Sequence, residues 1–415
     1  LRKRLTADSQ SPYFGAVIHA SSHPFAGRLP RFPSAAALQR LAWSPSRFGP
    51  RVEELRNRPK PIVSPPQFPA IDPAFVSVQN RIADTYARDD EPAVADLRFE
   101  QQWLTANVPI WEAALREWNA RDLVFRRGRL SRASLSGRAF LSLPALPLDG
   151  VRLIGIGWYV DELIAAHLPN RLDLSGNCLG RSTVERIVSG RSIHSLDLSG
   201  NELNESPTLP DVVRSLNLAK NSLTSLGHLP ALESLDVSGN RLGNDVPFPT
   251  SLTRLSIAET NRTQLPTLAG LRHLDASFNA IESLQALEGT PLTRLSLRGG
   301  RLRPRHGDRW RLPALRRLDL SVNFIGDEVV NVIDPSRLAR LQLMNSLFTD
   351  RGVAMLVDRR PDQLTHLDLS WNAIGDDSVP RLLSLPNLFE LKVSGTRLSR
   401  RGVRRLREAI PIVVS

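Results

Sequence analysis

The stretches RLDLSGNCL at 171–179, SLDLSGNEL at 195–203 and SLNLAKNSL at 215–223 are three copies of one pattern, Leu-x-Leu-x-x-Asn-x-Leu. Eight more copies begin at Leu235, Leu255, Leu274, Leu295, Leu318, Leu341, Leu367 and Leu391. Seven of the eleven hold asparagine at the sixth position: Asn177, Asn201, Asn221, Asn240, Asn279, Asn323 and Asn372. Thr260, Gly300, Ser346 and Thr396 stand there in the others. Alternate leucines on a short extended segment point to one side, and a single copy cannot bury them. The copies must therefore stack into one core of parallel strands. A side-chain amide can satisfy the backbone groups left buried where the chain turns off each strand. Threonine and serine can do part of this and Gly300 cannot, so disturbed geometry is expected near Gly299–Gly300.

From first leucine to first leucine the copies measure 24, 20, 19, 20, 19, 21, 23, 23, 26 and 24 residues. The short middle ones carry Pro207, Pro210, Pro230, Pro247, Pro249 and Pro266 on the return path, which predicts extended convex segments. The later ones read IGDEVVNVI (325–333), FTDRGVAMLV (348–357) and IGDDSVPRLL (374–383), which predicts convex helices. RRGVRRLREAI (400–410) predicts a closing helix with Val403, Leu406 and Ile410 inward and its arginines outward.

The repeat resembles the leucine-rich repeat family over roughly residues 151–412. That resemblance implies an α/β solenoid: a horseshoe with a parallel concave sheet, extended convex segments in the middle repeats and helical ones towards the C-terminus, preceded by a small helical cap. It further implies a non-enzymatic scaffold that binds a protein partner on the concave face. Residues 73–150 supply the cap, because Phe75, Val78, Ile82, Val94, Leu97, Trp103, Ile110, Ala114 and Trp118 recur at helical spacings and 123–135 alternates like a strand or hairpin. Residues 82–102, 124–135 and 139–143 are similar to the N-terminal companion domain found on leucine-rich repeat proteins of planctomycetes and some myxobacteria, departing from it at Thr85–Tyr86 and Asp90–Pro92. The likeness implies bacterial origin and a capping role, and Trp103, Trp111 and Trp118 offer apolar area to cover the first strand edge. Residues 1–72 read as a Pro/Arg-rich arm, partly disordered, with short helices at 35–43 and 52–57; twelve of the 31 prolines fall in 1–75.

A composition of 41% hydrophobic and 23% charged residues excludes a disordered chain, and no apolar run approaches the ~20 residues of a spanning helix. The single cysteine, Cys178, excludes an internal disulfide framework. The net charge of +12 is unevenly distributed: +7 over 1–150, −1 over 151–391 and +6 over 392–415. A basic chain suggests an acidic partner, but the repeats are neutral and only four of the 54 basic residues are lysines. Binding of RNA or an anionic surface by the basic arm and closing helix is thus the alternative reading, with nucleic acid not the expected partner. His273 and His366 lie four copies apart, ~19 Å by strand spacing, too far to share a metal. With no nucleophile elbow or phosphate-binding glycine loop, no enzyme, cofactor or metal is expected.

The position before the first leucine forms a column that includes Arg254, His273, Arg294, Arg317, Arg340 and His366. Beside it, the position between the leucines gives Asp173, Asp197, Asp236, Asp275, Asp319 and Asp368, so the two columns are expected to exchange ion pairs. The two positions after the second leucine are mostly serine and glycine, yet become Phe278, Arg298, Val322, Met344 and Trp371 in later copies. Aromatic residues and arginine dominate interface energies. The expected partner-binding set is therefore Arg254, His273, Phe278, Arg294, Arg298, Arg317, Val322, Arg340, Met344, His366 and Trp371, all on the concave face. The chain is expected to be monomeric and cytoplasmic, with a secreted bacterial effector that recognises a host protein as a further alternative.

Overall fold

A two-residue alternation cannot persist where each copy must also turn and return, so the strands are short. The computed structural model describes residues 72–87, 92–114, 120–126, 129–142, 148–300, 302 and 309–415. All of these lie in one compact unit, Val63–Ser415. The arm with its helices at 35–43 and 52–57, together with the side chains of Trp111 and Trp118, lies outside the described residues.

Eleven of the strands have three residues and occupy equivalent positions in the pattern. They are β4 (Arg171–Asp173), β5 (Ser195–Asp197), β6 (Ser215–Asn217), β7 (Ser234–Asp236), β8 (Arg254–Ser256), β9 (His273–Asp275), β10 (Arg294–Ser296), β11 (Arg317–Asp319), β12 (Arg340–Gln342), β13 (His366–Asp368) and β14 (Glu390–Lys392). Each buries its central leucine and half-exposes the residue that follows. Before them come β1 (Arg121–Arg126), β2 (Arg129–Ser136) and β3 (Gly150–Ile154), and after them β15 (Ile412–Val414). All fifteen form one sheet in chain order. Only the β1–β2 pair is antiparallel, and register aligns like with like, as in Leu274 beside Leu295 and Leu295 beside Leu318.

Two helices, α1 (Pro73–Ala87) and α2 (Val94–Ala114), precede this array, with α3 (Gly137–Ser142) after the hairpin. Phe75 stacks on Trp103 at 3.7 Å between centroids, and Phe125 of β1 meets both rings edge-on. Gln79, buried beneath them, donates from Nε2 to the Phe125 carbonyl at 2.9 Å and to Glu100 at 3.0 Å, which ties α1 to the hairpin. The apolar face read from spacing stops short of the end of α2: Ile110 is exposed.

On the convex side the chain is extended between β5 and β9, as the prolines predict. Helices α6 (Val329–Val332), α7 (Asp350–Asp358), α8 (Val379–Leu383) and α9 (Arg400–Ala409) back the later copies, and Leu406 and Ile410 are buried while Val403 is half-buried. Two further convex helices, α4 (Val160–Ala165) and α5 (Arg181–Val188), back the first copies; Val184, Ile187 and Val188 anchor α5.

Two hydrogen-bond ladders hold the copies in register. In the first, each asparagine amide donates to the carbonyl of the second leucine of its own copy and to that of the copy before. Asn221, for example, reaches Leu218 at 2.9 Å and Leu198 at 3.0 Å. Its oxygen accepts from the backbone of the preceding copy, at Leu203 N. Thr260, Ser346 and Thr396 keep only the donor part, through Thr260 Oγ1 to Ile257 O at 2.7 Å, Ser346 Oγ to Leu320 O at 3.1 Å and Thr396 Oγ1 to Val393 O at 2.8 Å. At Gly300 the side chain is missing, and the buried Oδ1 of Asn323 in the next copy has no hydrogen-bond partner among the described residues.

The second ladder runs along the convex helices. Asp327 accepts from the Thr349 backbone at 2.8 Å and hydroxyl at 2.6 Å; Asp350 accepts from Gly375 N at 2.9 Å and from the Ser378 hydroxyl; Asp376 accepts from the Ser399 backbone at 2.8 Å and hydroxyl at 2.5 Å. Each carboxylate thus secures the start of the next copy's helical segment. The bonds from Ser399 hold the Asp376 carboxyl below its ordinary range.

Candidate functional site: the concave face and its rim

The register places Arg254, His273, Arg294, Arg317, Arg340 and His366 on six consecutive strands, β8 to β13, as one row. Arg254 is exposed and the other five are half-exposed. Within the row, Arg254 Nε donates to His273 Nδ1 at 3.2 Å. At its far end His366 Nε2 faces Glu390 at 3.6 Å, and Lys392 meets the same glutamate at 3.2 Å. His273 and His366 are four strands apart, and no cluster of metal-ligating side chains occurs among the described residues.

The neighbouring acidic column is tightly wired. Asp275 Oδ1 accepts from the Ser277 backbone at 3.0 Å and hydroxyl at 2.5 Å, and the same turn recurs at Asp173–Ser175 and Asp197–Ser199. These bonds favour the charged form. Burial among neighbouring strands opposes them and wins at Asp197, Asp236, Asp275 and Asp319, whose carboxyls are all pushed above the ordinary range. The next carboxylate in the column adds repulsion: Asp173 on Asp197, Asp275 on Asp236, Asp319 on Asp275 and Asp368 on Asp319. Asn217 occupies the same position naturally, accepting from Ala219 N at 2.9 Å and donating to Asp197 at 2.9 Å.

Asp275→Asn is accordingly expected to stabilise the array at neutral pH. A carboxyl with a raised folded-state pKa disfavours folding once ionised, and the disadvantage disappears below the unfolded-state value near 3.8. Chemical denaturation at pH 7 should show the gain, which should fade as the pH approaches that value.

Phe278, Arg298, Val322, Met344 and Trp371 are not on the sheet. Each strand from β4 to β14 ends two positions after it begins, and these residues lie in the turn beyond it, on the rim where the chain climbs to the convex side. At the fifth position of all eleven copies the backbone is left-handed. Glycine takes it at Gly176, Gly200, Gly239, Gly299 and Gly395, whereas Lys220, Glu259, Phe278, Val322, Asn345 and Trp371 take it elsewhere. The Phe278 ring lies over Gly299 of the next copy, and a Cβ there would meet its edge atoms. Trp371 covers Gly395 in the same way, with ring carbons 2.8 Å from where a Cβ would stand.

Two rim residues escaped the sequence reading. Phe324 is 71% exposed and Leu347 57%, both at the seventh position of their copies. The signal was present, since that position is otherwise small or polar: Cys178, Glu202, Ser222, Arg241, Asn261, Ala280, Arg301, Ala373 and Arg397. A shallow depression at the other end of the concave face, lined by Val124 and Arg132 of the hairpin with Arg171, Asp173, Asp197 and Asn217, was also unforeseen. It joins residues far apart in sequence.

The leucine-rich repeat family profile matches residues 228–245 and 364–379. The array is built of leucine-rich repeats. Among solved structures, these repeats are similar to an internalin from Listeria monocytogenes at 16% identity, covering 61% of this chain and 88% of the internalin, with a TM-score of 0.41. They are similar to a leucine-rich repeat protein of Leptospira interrogans at 19% identity, covering 64% and 89% of the two chains, with a TM-score of 0.33. YopM from Yersinia enterocolitica gives 23% identity, 62% and 53% coverage and a TM-score of 0.35. No curated protein matches the chain.

Proposed function

We propose that this leucine-rich repeat protein is a non-enzymatic binding module that holds a protein partner against the concave sheet of repeats five to ten, with residues 73–150 acting as its N-terminal cap. The observation that carries the reading is the charged double column: six consecutive cationic or imidazole side chains on β8 to β13, with Asp275, Asp319 and Asp368 in the neighbouring column. Cationic side chains held in register along a rigid sheet are suited to a partner of complementary charge. The long sheet supplies a preorganised surface, which lowers the entropic cost of association. No helix among the described residues is long and apolar enough to cross a membrane.

The test is a paired charge reversal on affinity-tagged full-length protein. Arg317→Glu with Arg340→Glu should reduce recovery of a cross-linked partner about tenfold or more, because close charge pairs at interfaces contribute more than ~1.5 kcal/mol each. Arg359→Glu, on the convex side after α7, should leave recovery unchanged. Equal recovery with both proteins would remove the concave face from consideration.

A further inference from the structure

At the N-terminal end of the concave face, the row that carries the cations of β8 to β13 opens with two more arginines. Register sets Arg132 of β2, Gly150 of β3 and Arg171 of β4 side by side, followed by Ser195 on β5 and Ser215 on β6. All five line the shallow depression at this end, whose volume is about 170 Å³. That is below the ~300 Å³ at which pockets begin to hold drug-sized molecules, so the depression suits one functional group rather than a whole ligand. Gly150 keeps its centre bare: a Cβ there would stand 2.9 Å from Arg171 Cβ and 3.1 Å from the Arg171 carbonyl oxygen. The two strands that bear guanidiniums are thus two steps apart, ~9.6 Å, with no side chain between them.

The charged groups here differ in whether they are already engaged. Asp173 Oδ1 accepts from the Ser175 backbone and hydroxyl, and its Oδ2 faces Arg152 Nε at 3.8 Å. Arg152 also faces Asp122 at 3.9 Å, and that carboxylate accepts from the Ser134 hydroxyl at 2.8 Å. Asp197 accepts from the Ser199 backbone and hydroxyl on one oxygen and from Asn217 Nδ2 at 2.9 Å on the other. By contrast, the exposed guanidiniums of Arg132 and Arg171 and the hydroxyls of Ser195 and Ser215 make no hydrogen bond or ion pair among the described residues. The uncommitted groups are all donors, and two of them are charged. We propose that they bind the phosphate monoester of a phosphorylated serine or threonine on a partner protein. Planar guanidinium forks match phosphate oxygens, and two of them balance the roughly −2 charge of a monoester, where a carboxylate would leave one arginine unmatched. What lies next along the sheet disfavours a nucleic acid. The row holds Ser234 and no cation until Arg254, while the acidic column continues at Asp236. A run of phosphates would meet carboxylates where a single one meets arginines. This inference rests on the array being a protein-binding module and gives its concave face a second site.

The test titrates the full chain with N-acetyl-O-phosphoserine methylamide, followed by phosphorus NMR at constant ionic strength, and compares it with the correspondingly blocked glutamate, inorganic phosphate and a 5′-phosphorylated oligonucleotide. The phosphoserine probe should bind at least about tenfold more tightly than the glutamate one and no more weakly than the other two. Arg132→Gln and Arg171→Gln should each weaken it about tenfold or more, because each removes charged donors from the anion. Their unfolding midpoints should not move, since both side chains are exposed and make no contact that folding uses. Affinity should also fall as the pH drops through about 6, where the monoester loses its second charge. Equal binding of the glutamate probe, tighter binding of free phosphate or of the oligonucleotide, or undiminished binding by both arginine variants overturns the assignment. The Arg317→Glu, Arg340→Glu protein should still bind the phosphoserine probe whether or not it loses its cross-linked partner, so failure of this site and failure of the concave reading are told apart. If that protein loses the probe as well, the assignment to β2–β4 falls.

Discussion

Replacing Asn279 with alanine is expected to destabilise the array by about 3–6 kcal/mol, enough to unfold part of it. The side chain is buried and makes bonds in three directions. Its nitrogen donates to Ile257 O at 2.6 Å and Ala276 O at 3.1 Å, and its oxygen accepts from Thr260 N at 3.2 Å and Arg262 N at 2.9 Å. Alanine supplies none of these and admits no water, so two buried N–H groups and a carbonyl lose partners at ~1–3 kcal/mol each. Asn323→Ala provides the contrast. Its nitrogen reaches Leu297 O at 2.8 Å and Leu320 O at 2.9 Å, but its oxygen serves no donor among the described residues. Carbonyls tolerate under-satisfaction better than N–H groups, so the loss should be roughly half that at Asn279. Denaturant midpoints at constant slope measure both, and equal losses would show that the acceptor half of the ladder contributes nothing.

Gly352→Ala should destabilise by about 2–4 kcal/mol, although helix propensity alone predicts a gain of up to ~1 kcal/mol. Gly352 lies inside α7, where a glycine ordinarily weakens the helix. Its missing Cβ is the space into which Asp327 Oδ1 reaches, and an added methyl would also approach Phe348 ring carbons at 2.7 and 2.8 Å. The carboxylate would have to leave Thr349, and the start of α7 would lose its link to the preceding copy. If that account holds, Asp327→Ala should be costly alone yet make Gly352→Ala better tolerated, so the double variant is more stable than the sum of the two singles predicts. Thermal unfolding of the four proteins decides it. Gly402 faces Asp376 in the same way, which marks the glycine as part of the repeat's joinery.

Much of the fold was legible because the repeat repeats its chemistry as well as its hydrophobicity. The leucines gave strand positions, the asparagines gave the turn that follows, and Thr260, Ser346 and Thr396 could be read as partial substitutes because a hydroxyl donates but cannot span two acceptor roles. Gly300 was readable as a gap for the same reason. The convex helices α4 and α5 were not, since RSTVERIV carries its apolar residues over only two turns and α4 is shorter still. The placement of Phe278, Val322 and Trp371 failed on a backbone matter. With strands this short, the fifth position has already turned off the sheet, and no side-chain pattern announces a left-handed residue when glycine is absent. Phe324 and Leu347 were missed because the seventh position was read only as a spacer between asparagine and leucine. The Asp327, Asp350 and Asp376 contacts depend on which carboxylate meets which neighbour's backbone, information held between copies rather than within one.

Unravelling of such a chain has a direction and a stopping place. Each asparagine is a rivet through adjacent copies, and the line of rivets runs from Asn177 to Asn279 with Thr260 as a partial member, lapses at Gly300 and resumes at Asn323. Tension applied at either terminus would pass from rivet to rivet and meet its weakest joint in the same place, between the sixth and eighth copies. Exposed rim side chains straddle that joint, with Phe278 on one side and Phe324, Leu347 and Trp371 on the other. Whatever lies along that stretch of rim would then also act as a splint across the seam.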